Sequence, residues 1–166
     1  MWIGLGSNLG DRSAAINDAI EHLAALEHVC VAARSDVWET APLGDVDQGL
    51  FLNAVIRVES AAAPSIMLRN CLQIETAMGR TRTDMQRWGP RFIDIDLLVH
   101  NSMVIDEPGL QLPHPRLPER AFVLAPFAQL DGAFVHPTLG HTINAMLEQE
   151  KSRNGPLKGR CDCVQV

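Results

Sequence analysis

At 166 residues the chain fits one domain and buries on the order of 70% of its unfolded surface, so it requires no disulfide or metal staple. A formal net charge of -6 and a pI near 5.4 exclude a broadly basic face, so neither nucleic acid nor a membrane surface is expected as a partner. No stretch approaches about eighteen apolar residues, and Met1-Trp2-Ile3 lacks a basic start, so neither a membrane span nor a signal peptide is read and the cytoplasm is expected.

Trp2 to Gly6 reads as a short apolar strand ending at Ser7-Asn8. Gly4, Gly6 and Gly10 invite a dinucleotide motif, but the third glycine of G-x-G-x-x-G falls on Leu9 and the motif fails. Asp11 opens a helix whose Ile16, Ile20, Leu23 and Leu26 form one apolar stripe. Val29 to Glu39 is extended and Thr40 to Gly44 is a loop. Leu50 to Glu59 alternates as a half-buried strand, with Leu52, Ala54, Ile56 and Val58 on one face and Phe51, Asn53 and Val55 on the other. Phe51 beside Asn53 suits a flat polar ring, through stacking and an amide donor and acceptor; an ordinary exposed sheet face fits this segment equally. Pro64 starts a second helix with a Met67, Cys71, Ile74 and Met78 seam, ended by Gly79. Glu75 on that helix either orients an arginine or reaches the metal region, or is a solvated helical residue. Cys30 and Cys71 read as core thiols, and Cys161-x-Cys163 as a tail pair without a second ligand pair.

Arg80 to Val99 concentrates the chemistry. Four of the twelve arginines (Arg80, Arg82, Arg87, Arg91) fall in its first part, with Asp84 opposing them. Gly89-Pro90 then leads into an apolar strand carrying Asp94 and Asp96. Strand alternation points both aspartates to one face, roughly 7 Å apart. Such carboxylates repel unless a cation lies between them, and hard oxygen ligands of this kind suit Mg²⁺. Nearby guanidiniums offer planar forks for phosphate oxygens, so metal and arginine together read as a polyphosphate site. A surface ion pair with Arg91 or plain edge-strand solubility is the competing explanation of the D-x-D.

Beyond this strand, Met103 to Asp106 is a short strand, and Glu107-Pro108-Gly109 turns the chain. Three prolines between 113 and 118 rule out a helix and hold His114 and Arg116 in an ordered loop. Glu119 to Phe127 resumes as a helix carrying Arg120 and Phe122, Thr138 to Glu150 is a last helix, and residues 151–166 form a tail to a domain of residues 1–150. Strand-helix-strand-strand-helix-strand is the split βαβ order of an α+β, ferredoxin-like sheet with added strands and helices.

The set G-S-N-L-G-D (6–11), T-A-P-L-G (40–44), F-L-N-A-V (51–55), G-R-T-R (79–82), R-W-G-P-R-F-I-D-I-D-L-L (87–98) and P-H-P-R…E-R-A-F-V-L (113–124) closely resembles the 6-hydroxymethyl-7,8-dihydropterin pyrophosphokinase family. The likeness runs through roughly residues 2 to 136. It implies a ferredoxin-like fold and transfer of pyrophosphate from MgATP to the pterin hydroxymethyl oxygen, with release of AMP, by a cytoplasmic monomer acting on small molecules. Carried over by motif, Asp94 and Asp96 hold two Mg²⁺ ions, and Arg80 and Arg91 clamp phosphates. Arg82 and Trp88 sit on a mobile loop over the ATP. The pterin stacks between Phe51 and Phe122 and is read by Asn53, Thr40 and the Leu43 backbone, while Glu75, His114 and Arg120 face the nucleotide. Phe51 replaces a tyrosine of some members, and Pro118 stands where a polar residue is usual. Two rivals weighed on the residues alone are a two-metal hydrolase, which would consume ATP without pterin, and an RNA-binding module, which lacks the aromatic pattern and the basic charge.

Overall fold

Among the described residues, 1–42, 48–79, 91–155 and 157 of a computed structural model, a five-stranded antiparallel sheet is sandwiched between two helical layers. Leu43, Arg80, Arg82, Trp88, Cys161 and Cys163 lie outside the described residues, as does the expected loop carrying Arg82 and Trp88. The elements are β1 (Trp2–Ser7), α1 (Arg12–Ala24), β2 (Val29–Arg34), β3 (Trp38–Thr40), β4 (Phe51–Ser60) and α2 (Pro64–Ala77). They continue with β5 (Asp94–Val99), the hairpin β6 (Ile105–Glu107) and β7 (Leu110–Leu112), a 3₁₀ turn (Leu117–Glu119), α3 (Ala121–Asp131) and α4 (Ile143–Asn154). The sheet order β2-β4-β1-β5 is the ferredoxin-like order expected, with β3 added beside β4.

Local chemistry sets the helix starts. The Asp11 side chain accepts the Ala14 N–H at 3.0 Å, capping α1. Ala15, Ile16, Ala19 and Leu23 then form its buried stripe, while Leu26 falls beyond its end. Pro64 occupies the first turn of α2, where a missing N–H costs nothing, and Met67, Cys71 and Ile74 are buried. These two helices cover Ile3, Leu5, Ala54, Ile56, Ile95 and Leu97 on one sheet face. The other face carries Trp2, Val55, Leu98 and Val99 under α3 and α4, with Trp2 and Phe127 ring centroids 4.4 Å apart.

β4 is therefore not half-buried as its alternation suggests. Residues 52–56 are buried on both faces, because a helical layer lies on each side. Cys30 is exposed rather than core, since β2 is the edge strand and only alternate residues face inward. Cys71 is buried as expected, and burial pushes its thiol up to about 12, which leaves it inert. α4 starts at Ile143, later than Thr138. His136 Nδ1 accepts from the Thr138 and Leu139 N–H groups, holding a turn until Thr142 caps the helix through the Ala145 N–H. The same helix continues to Asn154, past the start expected for the tail. The 3₁₀ turn spans Pro118, where three prolines leave no room for an α-helix, and α3 begins only at Ala121.

The passage from β2 to β3 turns on Ser35, 4% exposed. Its N–H donates to the Val55 carbonyl, and its Oγ accepts the Val55 N–H, both at 2.9 Å, so a side chain completes the ladder where the edge strand bends. We predict that Ser35→Ala, which orphans that buried N–H, lowers unfolding free energy by about 1–3 kcal/mol in urea titration. An unchanged midpoint and slope would contradict this role.

Candidate active site

The register brings the site together. Asp94 pairs with Gly6 and Asp96 with Gly4 across β1–β5, while Gly6 pairs with Asn53 and Gly4 with Val55 across β1–β4. Directly paired residues share a face, so Asp94, Gly6 and Asn53 form one row and Asp96, Gly4 and Val55 the next. The middle strand supplies only glycine to this row. A Cβ on Gly6 would stand 3.1 Å from Asn53 Oδ1, so Gly6 leaves a floor open between Asp94 and the amide, while Leu98 packs over Gly4. Two strand spacings separate Asp94 from Asn53, roughly 10 Å. A cavity of about 1490 Å³ opens above.

Thr40, Phe51, Asn53, Glu75, Arg91, Asp94, Asp96, His114, Arg120 and Phe122 all line this cavity. The competing reading of Asp94 is also realised: Arg91 Nη1 donates to Asp94 Oδ2 at 2.7 Å. Arg120, the residue just ahead of α3, does the same for Asp96 Oδ2 at 2.7 Å. Among the described residues, the cations beside the two carboxylates are these arginines, one reaching in from each flank. Arg120, expected on the nucleotide, is in this state a partner of Asp96, and its guanidinium carbon also lies 5.8 Å from the Phe122 ring centroid.

Asn53 is 4% exposed, and its Nδ2 donates to Thr40 Oγ1 at 2.7 Å. That bond anchors the amide, with Oδ1 lying over Gly6 in this orientation. Thr40 is itself buried at 3% and acts by orienting Asn53. Glu75 is not a solvated helical residue. It is 1% exposed, and its Oε1 accepts the Ile95 N–H at 2.8 Å. β5 is the outer strand of the sheet, so this N–H has no neighbouring strand to bond, and Glu75 satisfies it. The His114 N–H similarly donates to the Leu98 carbonyl at 2.7 Å. Together they hold the aspartate strand from its free side.

The His114 side chain is legible in detail. Burial lowers its pKa; Asp96 opposes the shift, and Arg120 and Arg116 reinforce it. The Arg116 N–H donates to Nδ1 at 3.1 Å, so the neutral ring carries its proton on Nε2 and presents a donor rather than a base. Sequence reasoning missed the Gly6 floor, the Arg116 contact, and the Asp106 to Gln111 hairpin that forms one cavity wall. The signal for the floor was present in the alternating glycines of β1, but only strand pairing shows what they face.

Whether the aspartates suit a metal is a matter of donor chemistry. Among the described residues no group of three or more His, Cys, Asp or Glu side chains gathers at one point. Mg²⁺ needs no such cage: one or two carboxylates suffice, with water and substrate phosphate completing the shell. Asp94 and Asp96, 26% and 33% exposed and opening on the cavity, fit that donor set.

A ferredoxin-like sheet that presents two carboxylates, two guanidiniums and an anchored amide to one cleft defines a phosphoryl-transfer enzyme of the α+β class. Residues 2–132 match the 7,8-dihydro-6-hydroxymethylpterin-pyrophosphokinase (HPPK) family, and the chain belongs to it. The 2-amino-4-hydroxy-6-hydroxymethyldihydropteridine pyrophosphokinase of Methylorubrum extorquens is 46% identical over 129 residues, 78% of this chain and 80% of that protein. The Bacillus subtilis protein of the same name is 42% identical over 129 residues, 78% of this chain and 76% of its own. The fold is also that of the wild-type Plasmodium falciparum HPPK-DHPS crystal structure (TM-score 0.70, 15% identity), which covers 94% of this chain; this chain spans 46% of that one.

Two predictions follow from the cavity floor and its histidine. Gly6→Ala, by pressing on the Asn53 amide, should raise KM for the pterin by about tenfold, the scale of one displaced hydrogen bond, while KM for ATP stays within about twofold. Equal changes in both would contradict the floor assignment. For His114, NMR titration should give a midpoint below the ordinary 6.5. Because the folded state binds that proton less readily than the unfolded chain, its contribution to stability is intact above pH 6.5 and declines as pH falls below it. A midpoint above 6.5 would contradict the burial argument.

Proposed function

We propose that the aspartate–arginine cluster and the Asn53 end of the cavity are the two halves of one transfer site: ATP phosphates over Asp94 and Asp96, pterin over Phe51, Asn53 and Phe122. The reaction is that of the family, in folate biosynthesis: transfer of pyrophosphate from ATP to the hydroxymethyl group of 6-hydroxymethyl-7,8-dihydropterin, giving AMP and the pterin diphosphate. The observation that carries the division is the glycine floor, which joins an anchored amide to an aspartate pair across roughly 10 Å without an intervening side chain.

AMP leaves with one phosphate, so the bond that breaks joins the α and β phosphates, and the hydroxymethyl oxygen attacks the β-phosphorus. The Asn53 amide, held by Thr40 through Nδ2, offers Oδ1 to a ring N–H, and Phe51 and Phe122 supply faces for stacking. This sets the hydroxymethyl arm toward the aspartates. Mg²⁺, two ions in our reading, would be held by Asp94 and Asp96 and would offset phosphate charge. Arg91 and Arg120 then turn from carboxylate to phosphate oxygens, with Arg80, Arg82 and Trp88 assigned to the same nucleotide and the Leu43 backbone to the pterin. Neutral His114 donates from Nε2 to the nucleotide and takes no proton. The hydroxyl proton departs to water. Glu75 serves the nucleotide by holding β5 in place.

We take the chain to act as a monomer on these small molecules. The described thiols Cys30 and Cys71 are free, as suits the reducing cytoplasm, and among the described residues no helix is long and apolar enough to cross a membrane. We assign the catalytic domain to residues 1–154, through the end of α4, in place of the boundary expected at 150.

Mixing protein, MgATP and the pterin and measuring AMP by chromatography tests the assignment. Asp94→Asn or Asp96→Asn should each slow AMP formation roughly 10³-fold, the scale of losing several kcal/mol of metal-borne charge stabilisation, with the melting temperature little changed. Normal turnover by either variant would sink the metal assignment.

A further inference from the structure

Asn8 lies between β1 and α1, is 8% exposed, and does not itself line the cavity. Its backbone N–H donates to the Arg91 carbonyl at 3.2 Å. Its Oδ1 accepts the Arg91 N–H at 2.8 Å, so Arg91 is docked through both of its backbone polar groups. A backbone N–H can only donate, which settles the amide orientation: oxygen to Arg91, nitrogen away from it. The Asn8 Nδ2 therefore points to Gln48, whose Oε1 accepts at 3.0 Å.

These two partners belong to opposite halves of the site. Arg91 carries the guanidinium on Asp94. Gln48 lines the cavity just ahead of Phe51, at the entry to β4. One buried amide thus bonds the backbone that aims the phosphate arginine and the segment that leads into the ring-binding strand. We infer that Asn8 is a positioning residue that couples the nucleotide and pterin halves, so that occupancy at Arg91 sets the Gln48 segment and the reverse. Linkage makes this coupling reciprocal: each substrate tightens the other by the same factor. The inference rests on the assignment of Arg91 to the phosphates and Phe51 to the ring.

The amides allow a test in which truncation is unnecessary. Asn8→Asp alone keeps a bond to Gln48, whose amide turns over to donate, and keeps an oxygen for the Arg91 N–H. Gln48→Glu alone keeps an oxygen for Asn8 Nδ2. The double variant N8D/Q48E sets two carboxylates against each other, with no donor between them once both are ionised, so affinities are measured at about pH 8.5, above the range in which such a pair shares a proton. Calorimetry would measure pterin affinity with and without Mg²⁺ and a nonhydrolysable ATP analogue. In the wild-type protein and both single variants the nucleotide should tighten pterin binding about tenfold or more, within the usual range of such coupling. In the double variant the gain should fall below about twofold, while each ligand measured alone binds within about threefold of wild type, a non-additive outcome of the kind that marks direct contact.

Coupling that survives in N8D/Q48E, or is absent from the wild-type protein, overturns the inference. So does a double variant that weakens both ligands measured singly, because that is structural damage rather than lost communication. Arg91→Ala, measured alongside with nucleotide alone, separates the two levels. Lost nucleotide affinity there, with coupling intact in the double variant, overturns only the role of Asn8. Unchanged nucleotide affinity overturns the assignment of Arg91 beneath it.

Discussion

Two carboxylates on one face of an outer strand, each held by its own guanidinium, are the constraint around which this molecule is arranged. Asp94 and Asp96 stand two residues apart, so β5 cannot avoid presenting them together. Arg91 approaches one from the segment leading into the strand, and Arg120 approaches the other from the start of α3. The pairing makes a dense acidic site tolerable in the folded chain. It also places permanent cations beside the carboxylates, and in the proposed function these same guanidiniums turn to the phosphate oxygens.

An outer strand is a weak place to put such a site unless its free edge is tied down. Glu75 does this from α2 by accepting the Ile95 N–H, and the proline-rich loop does it further along by donating from His114 to the Leu98 carbonyl. Both ties attach to backbone, leaving the strand's side chains to face the cleft. The inner neighbour, β1, contributes Gly6 between Asp94 and Asn53, and the space its missing side chain leaves is what joins the acidic end of the cleft to the amide. Rigid sheet, tied edge and empty floor together hold reacting groups at a set distance, which is most of what phosphoryl-type transfer asks of a protein.

Much of this was legible in the chain before folding was considered. The spacing of Asp94 and Asp96 dictates a shared face, the Asp11 and Pro64 starts are written in helix-end chemistry, and the element order points to the ferredoxin-like sheet. Other features depended on partners that sequence does not reveal. The alternation in β4 suggested one dry face, whereas α3 and α4 bury the second. Glu75 looked like any helical glutamate until the strand edge beside it was known. Cys30 looked apolar because its neighbours are, but an outer strand exposes every other residue. The β1 glycines failed a nucleotide motif and so carried no meaning until pairing set them beside the aspartates.

The most direct measurement is diffraction at the manganese edge, from crystals grown with Mn²⁺ in place of Mg²⁺, a nonhydrolysable ATP analogue and the pterin. The account predicts anomalous peaks in bonding contact with the carboxylates of both Asp94 and Asp96, with the analogue's phosphates on the far side of the ions and the pterin ring over Gly6 and Asn53. Phosphates held by arginine with no ion touching either aspartate would contradict it.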